Sequence, residues 1–159
     1  MKALILSLSL FLLFALLANA SPMVFIVRHA EKASSGGNDP DLSEAGQKRA
    51  EALARILKDA QIQAIFTTEF KRTQETAAPT AKEFNLHPTI IPANDLAGLL
   101  AKLNGLTGNA LVVGHGNTIP DLIKALKADS PINIPENDYN ELFVVVLGDQ
   151  QLSRLHYSF

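Results

Sequence analysis

The chain has 159 residues, 47% of them apolar and 19% charged, with a formal charge of −2 and no cysteine. That balance gives no general attraction to nucleic acid or to an anionic membrane, and it excludes both a disulfide framework and a lipid-modified cysteine. An anion would have to be held by a local cluster of cations rather than by the overall field.

The amino terminus reads as a secretory signal peptide. Lys2 is followed by an apolar stretch over residues 3–17, broken only by Ser7 and Ser9, and then by Ala18-Asn19-Ala20 before Ser21-Pro22. A positive start, a hydrophobic centre and small residues at a cleavage site have that order. A membrane-spanning helix wants roughly 20 apolar residues, which this stretch does not reach. The expectation is cleavage after Ala20, leaving residues 21–159 as a single exported domain, periplasmic or secreted, with no membrane attachment in its mature form. Lys2 is the one charge in residues 1–20, so the remainder is slightly more acidic than the whole.

From there short apolar runs alternate with amphipathic stretches. Residues 23–27 read as a first strand, and residues 43–58 as a helix with Ala50, Leu53, Ala54 and Leu57 at helical spacing and Ser43 as its N-cap. A second strand over 63–67 precedes a second helix over 70–84, which Pro79 should kink or split by removing a backbone donor. A third strand over 87–91 is bounded by Pro88 and Pro92, a third helix covers 95–103, a fourth strand 110–113 and a fourth helix 117–127. After a turn-rich segment, 141–147 and 151–157 read as two strands joined across Gly148-Asp149. The alternation implies an α/β fold with a mostly parallel sheet, and the closing hairpin implies an antiparallel partner.

Three strand ends carry residues badly suited to a core. The first runs into Arg28-His29-Ala30-Glu31. The second runs through Thr67-Thr68 into Lys71-Arg72-Thr73, where a helix begins and its backbone N–H groups favour an anion. The fourth runs into Gly114-His115-Gly116-Asn117-Thr118, whose glycines would let a backbone approach a ligand and leave His115 uncrowded. Ligands of open α/β sheets gather beyond the carboxyl ends of strands. Arg28, Arg72, His29 and His115 at one sheet edge therefore suggest a phosphoryl site. Guanidiniums stay charged and grip phosphoryl oxygens in bidentate fashion. A neutral imidazole can attack phosphorus in line, provided that a backbone carbonyl holds the other ring nitrogen of His29. His115 would donate to a phosphoryl oxygen as charge moves. Zinc needs three or four convergent ligands and is repelled by neighbouring arginines, so neither metal nor other cofactor is expected.

The segments Arg28-His29-Ala30-Glu31-Lys32, Asp41-Leu42-Ser43-Glu44-Ala45-Gly46, Thr68 through Arg72-Thr73 to Thr76-Ala77, and Val113-Gly114-His115-Gly116-Asn117-Thr118 resemble, in order, those of the histidine phosphatase superfamily. That group also contains the cofactor-dependent phosphoglycerate mutases. The resemblance implies a three-layer α/β/α sandwich, no metal, His29 as the phosphorylated nucleophile, Arg28 and Arg72 as phosphate-pocket arginines and His115 as the second pocket histidine. Larger members carry an acidic proton donor downstream of the second arginine. Its nearest equivalent here is Asp95, which could equally cap the third helix. The other branch places an aspartate directly after the second histidine, where this chain has Gly116.

The chain thus resembles branch 1, and within it the short, minimal members, which suit labile leaving groups. Its short connections suggest an open site, bordered by Lys32 and residues 34–38, and offer little to hold the second phosphate that a mutase needs. The activity implied is an exported, metal-independent phosphomonoesterase acting on small-molecule or envelope phosphate esters. The alternative is a phosphate-binding module with the same pocket and little turnover.

Overall fold

The computed structural model describes residues 21–128 and 131–159; the segment read as a signal peptide lies outside the described residues. In β1 (Met23–Arg28), Val24 and Ile26 pack on one side, Phe25 and Val27 on the other, and all four are buried. A strand covered on both faces belongs inside a layered α/β fold. The chain continues through α1 (Glu44–Leu57), β2 (Ile62–Thr67), α2 (Lys71–Glu83), β3 (Thr89–Ile90), α3 (Leu96–Asn104), β4 (Asn109–Gly114), α4 (Ile119–Ala125), β5 (Glu141–Val146) and β6 (Gln151–His156).

The strands form one sheet in the order β3-β2-β4-β1-β5-β6. β3, β2, β4 and β1 pair in parallel, and β5 runs antiparallel to both β1 and β6. On one face Ile26, Phe66, Val112 and Phe143 pack with Leu103 of α3 and Ile119 and Ile123 of α4. On the other, Phe25, Val27, Ile65 and Leu111 pack with Leu53 and Leu57 of α1 and Ala77 and Ala81 of α2. This is the expected three-layer sandwich with its antiparallel closing hairpin. Because β4 inserts between β1 and β2, the carboxyl ends that carry Arg28, Thr67 and Gly114 stand side by side.

Ser43 caps α1 as expected, its Oγ accepting from the Gly46 amide at 3.1 Å. Three details differ from the sequence expectations. α2 continues through Pro79 unsplit, held to the sheet by Ala77 and Ala81 on either side of it. The third strand shrinks to two exposed residues at the sheet edge, because its flanking prolines cannot donate to a ladder. The fourth helix begins at Ile119 rather than Asn117, since Thr118 Oγ accepts from the His115 amide at 3.2 Å and holds the preceding turn.

Candidate active site

The His29 amide donates to the Gly114 carbonyl at 2.9 Å, tying the turn after β1 to the end of β4. The Nδ1 of His29 lies 2.8 Å from the Ala30 carbonyl. A carbonyl can only accept, so Nδ1 carries the proton and Nε2 presents its lone pair. The Ala30 amide donates to Thr76 Oγ at 2.9 Å, and Thr76 donates in turn to the Arg72 carbonyl at 2.6 Å. One threonine thus joins the two segments that supply the nucleophile candidate and the second arginine.

His115 stands edge-on to His29, with ring centroids 5.3 Å apart. Its Nε2 is 3.0 Å from Thr68 Oγ. Thr73 donates its hydroxyl proton to the Phe70 carbonyl at 2.8 Å, so across the 3.0 Å contact between the two hydroxyls it is Thr68 that donates to Thr73. Burial, reinforced by the neighbouring Arg28 and Arg72, lowers both histidines to about 4, so both are neutral at neutral pH. For His29 the hydrogen bond to Ala30 opposes that shift without cancelling it.

The two guanidiniums are held in different ways. Nη1 of Arg28 donates to the carbonyls of Pro135, Glu136 and Asp138 at 3.0, 2.5 and 3.2 Å, and its Cζ lies 4.4 Å from the Tyr139 ring centroid. Its Nε is buried without a partner among the described residues. A buried orphan donor of this kind costs about 1–3 kcal/mol, a cost that an anion on that edge would remove. Arg72 stacks on Phe70 at 4.3 Å, with Nη1 3.7 Å from Asp39. Arg28, His29, Arg72, His115, Asn117 and Glu136 line an open cavity of about 530 Å³.

The structure therefore brings all four residues singled out in the sequence to one cavity, and it corrects several details around them. At the amino terminus of α2, Asp39 Oδ1 accepts from the Lys71 amide at 3.0 Å. Asp95 caps α3, accepting from the Gly98 amide at 2.8 Å, and lines a neighbouring cavity rather than this one. A Cβ added at Gly114 or Gly116 would meet its nearest neighbours at 3.4–3.5 Å, so neither glycine is required by space. Lys32 bridges to Leu42, and from this loop it is Asp39 that reaches Arg72.

Sequence reasoning missed the groups that fasten the site. Arg49, buried on the inner face of α1, binds Glu31 with contacts of 2.6–3.0 Å and donates to Asn140 Oδ1 at 2.7 Å. Burial alone would raise the Glu31 carboxyl, but the Arg49 hydrogen bonds and charge bring it below its ordinary value. Gly46 allows the Glu31 carbonyl within reach of the Ser43 amide at 2.8 Å; a Cβ there would collide with that carbonyl. The Asp41-to-Gly46 motif is thus the clasp of the turn that carries His29. A charged residue on an otherwise apolar helix face was the available signal for Arg49.

The model of the histidine phosphatase superfamily (branch 1) matches residues 24–97, a span that includes Arg28, His29 and Arg72 and stops short of His115. Phosphoserine phosphatase 1 of Hydrogenobacter thermophilus is 39% identical over 69 residues, 40% of this chain and 33% of its own length. The matched stretch therefore spans about a third of that relative. The protein histidine phosphatase SixA, solved with tungstate, superposes with a TM-score of 0.70 at 22% identity, over 84% of this chain and 96% of its own. The α-ribazole phosphatase of Shigella flexneri superposes with a TM-score of 0.68 at 16% identity, over 86% and 96%. Both share the fold, that of the phosphoglycerate mutase-like phosphatases. Over residues 24–97 the chain is thus similar to the histidine phosphatase superfamily, branch 1, and over most of its length it shares the fold of solved phosphatases.

Proposed function

We propose that this protein is a metal-independent phosphomonoesterase that works through a phosphohistidine on His29. The observation that carries the proposal is the Nδ1–Ala30 hydrogen bond, which leaves Nε2 of a neutral imidazole as a nucleophile beside Arg28, Arg72 and His115. Nε2 attacks phosphorus, the bond from phosphorus to the ester oxygen breaks, and the leaving alcohol takes up a proton. Water then attacks the phosphohistidine, breaking the N–P bond, so that inorganic phosphate departs and His29 returns to its starting form. Arg28, Arg72 and His115 supply fixed positive charge and a donor where negative charge spreads over the equatorial oxygens.

No group of three or more His, Cys, Asp or Glu side chains converges as a metal site among the described residues. Asp95 is engaged as a helix cap, which favours esters whose leaving groups need little protonation. Export belongs to the same proposal and rests on the order of charge, apolar run and small residues in residues 1–20. The amino-terminal sequence of protein recovered from outside the cytoplasm should begin at Ser21.

The test is hydrolysis of an aryl phosphate in the presence of chelator, comparing the wild type with His29→Ala. Chelator-resistant turnover that vanishes in the variant supports the phosphohistidine route. Phosphate binding without turnover in the wild type would replace it with the binding-module reading.

A further inference from the structure

Beside the phosphate cavity lies a second one, of about 260 Å³, between the sheet and helices α3 and α4. Phe66, Ile91, Leu99, Val112, Ile119 and Leu122 supply an apolar wall, completed by threonines, asparagines and two aspartates. Protein interiors seldom keep voids larger than a water molecule, yet Leu96 and Leu99, beside this space, remain only partly covered. The space opens at the carboxyl ends of β2 and β4, beside Thr68 and Gly114, where ligands of such sheets gather. Asn117 lines both cavities, so the apolar space adjoins the arginines and histidines.

The lining chemistry of the two is complementary. The phosphate cavity holds Arg28, Arg72, His29 and His115. The second has no lysine, arginine or histidine in its lining among the described residues and carries the carboxylates of Asp95 and Asp121. A second anionic group placed there would meet two like charges and no cation. An apolar group would cover the partly buried Leu96 and Leu99. The volume lies below the roughly 300–1,000 Å³ of sites for drug-sized ligands, so the occupant is compact.

We propose that this cavity is the subsite for the organic moiety of the substrate, and that the protein takes phosphate monoesters of compact, apolar alcohols lacking a second anionic group. The proposal rests on phosphate occupying the Arg28–Arg72 cavity, as argued above. Selection would operate through apolar contact and through the two carboxylates, without any direct reading of the phosphate.

The test is titration calorimetry of the full-length protein with three non-hydrolysable probes: inorganic phosphate, benzylphosphonate and 3-phosphonopropionate. Benzylphosphonate should bind about tenfold tighter than phosphate, whereas 3-phosphonopropionate, of similar reach but carboxylate-tipped, should gain nothing. Ala93→Trp, which fills the cavity, should remove most of the benzyl advantage while weakening phosphate far less. Should that variant not fold, Asp95→Asn combined with Asp121→Asn keeps the cap and the cavity and should raise 3-phosphonopropionate affinity severalfold. Equal binding of benzylphosphonate and phosphate, or a preference for the carboxylate probe, would overturn the subsite while leaving the phosphatase reading intact. Failure of phosphate to bind in a manner sensitive to Arg28→Ala would overturn both.

Discussion

Acidification from pH 7 to pH 4 should destabilise the protein through His29 and His115, and the size of the loss follows from their surroundings. Both rings are buried, with 5% and 7% exposure, and both are held at about 4 against an ordinary 6.5. In the unfolded chain they take up protons as the pH falls through 6.5, while in the folded protein they resist until about 4. A depressed folded value in a histidine therefore means stability that is complete above 6.5 and lost progressively down to about 4. At 1.36 kcal/mol for each tenfold change in proton activity, each ring contributes a loss of up to about 3 kcal/mol. The rings lie 5.3 Å apart and titrate as a pair, so the combined loss should fall between about 3 and about 6 kcal/mol. That is a large share of the roughly 5–15 kcal/mol by which domains are stable. Urea unfolding at half-unit pH steps, for the wild type and for His29→Gln/His115→Gln, isolates the effect. The contribution of Glu31, whose lowered value protects the fold above its ordinary range and is lost on further acidification, cancels in the difference. Wild-type and double-variant curves that run parallel between pH 7 and pH 4 would refute the reasoning.

The same values extend to catalysis: kcat/KM for an aryl phosphate should have no limb near pH 6.5, because His29 is already neutral there, and a limb at that pH would contradict the burial argument. Arg49→Ala strands the partly buried Glu31 carboxylate and should cost about 3 kcal/mol by urea unfolding, near the lower end for a broken buried pair, since the Glu31 side chain keeps 22% exposure. Arg28→Lys should weaken inorganic phosphate binding by about tenfold in calorimetry, because an ammonium cannot serve the strap carbonyls and an anion at once. Asp95→Ala should cost about 1 kcal/mol of stability and Asp95→Asn almost none, the signature of a helix cap.

Local chemistry determined much of this protein. Unbroken apolar runs over residues 23–27 and 110–113 mark strands, Ser43 marks a cap, and the Arg28-His29 and Gly114-His115 pairs mark strand ends that meet at one cavity. Those signals are legible because they depend on periodicity and on residues adjacent in sequence. Extended prolines around Thr89–Ile90 and the Thr118 hydroxyl shifted element ends, a matter of single hydrogen bonds that composition does not weigh. Only tertiary structure decided that β4 enters between β1 and β2, that Asp39 binds the Lys71 amide, and that Arg49 clasps Glu31 across 18 residues. It also decided that three carbonyls more than 100 residues away hold one edge of Arg28 and leave Nε bare. Such contacts join groups that are far apart along the chain, so their energies depend on the closed fold and leave no mark in any local pattern.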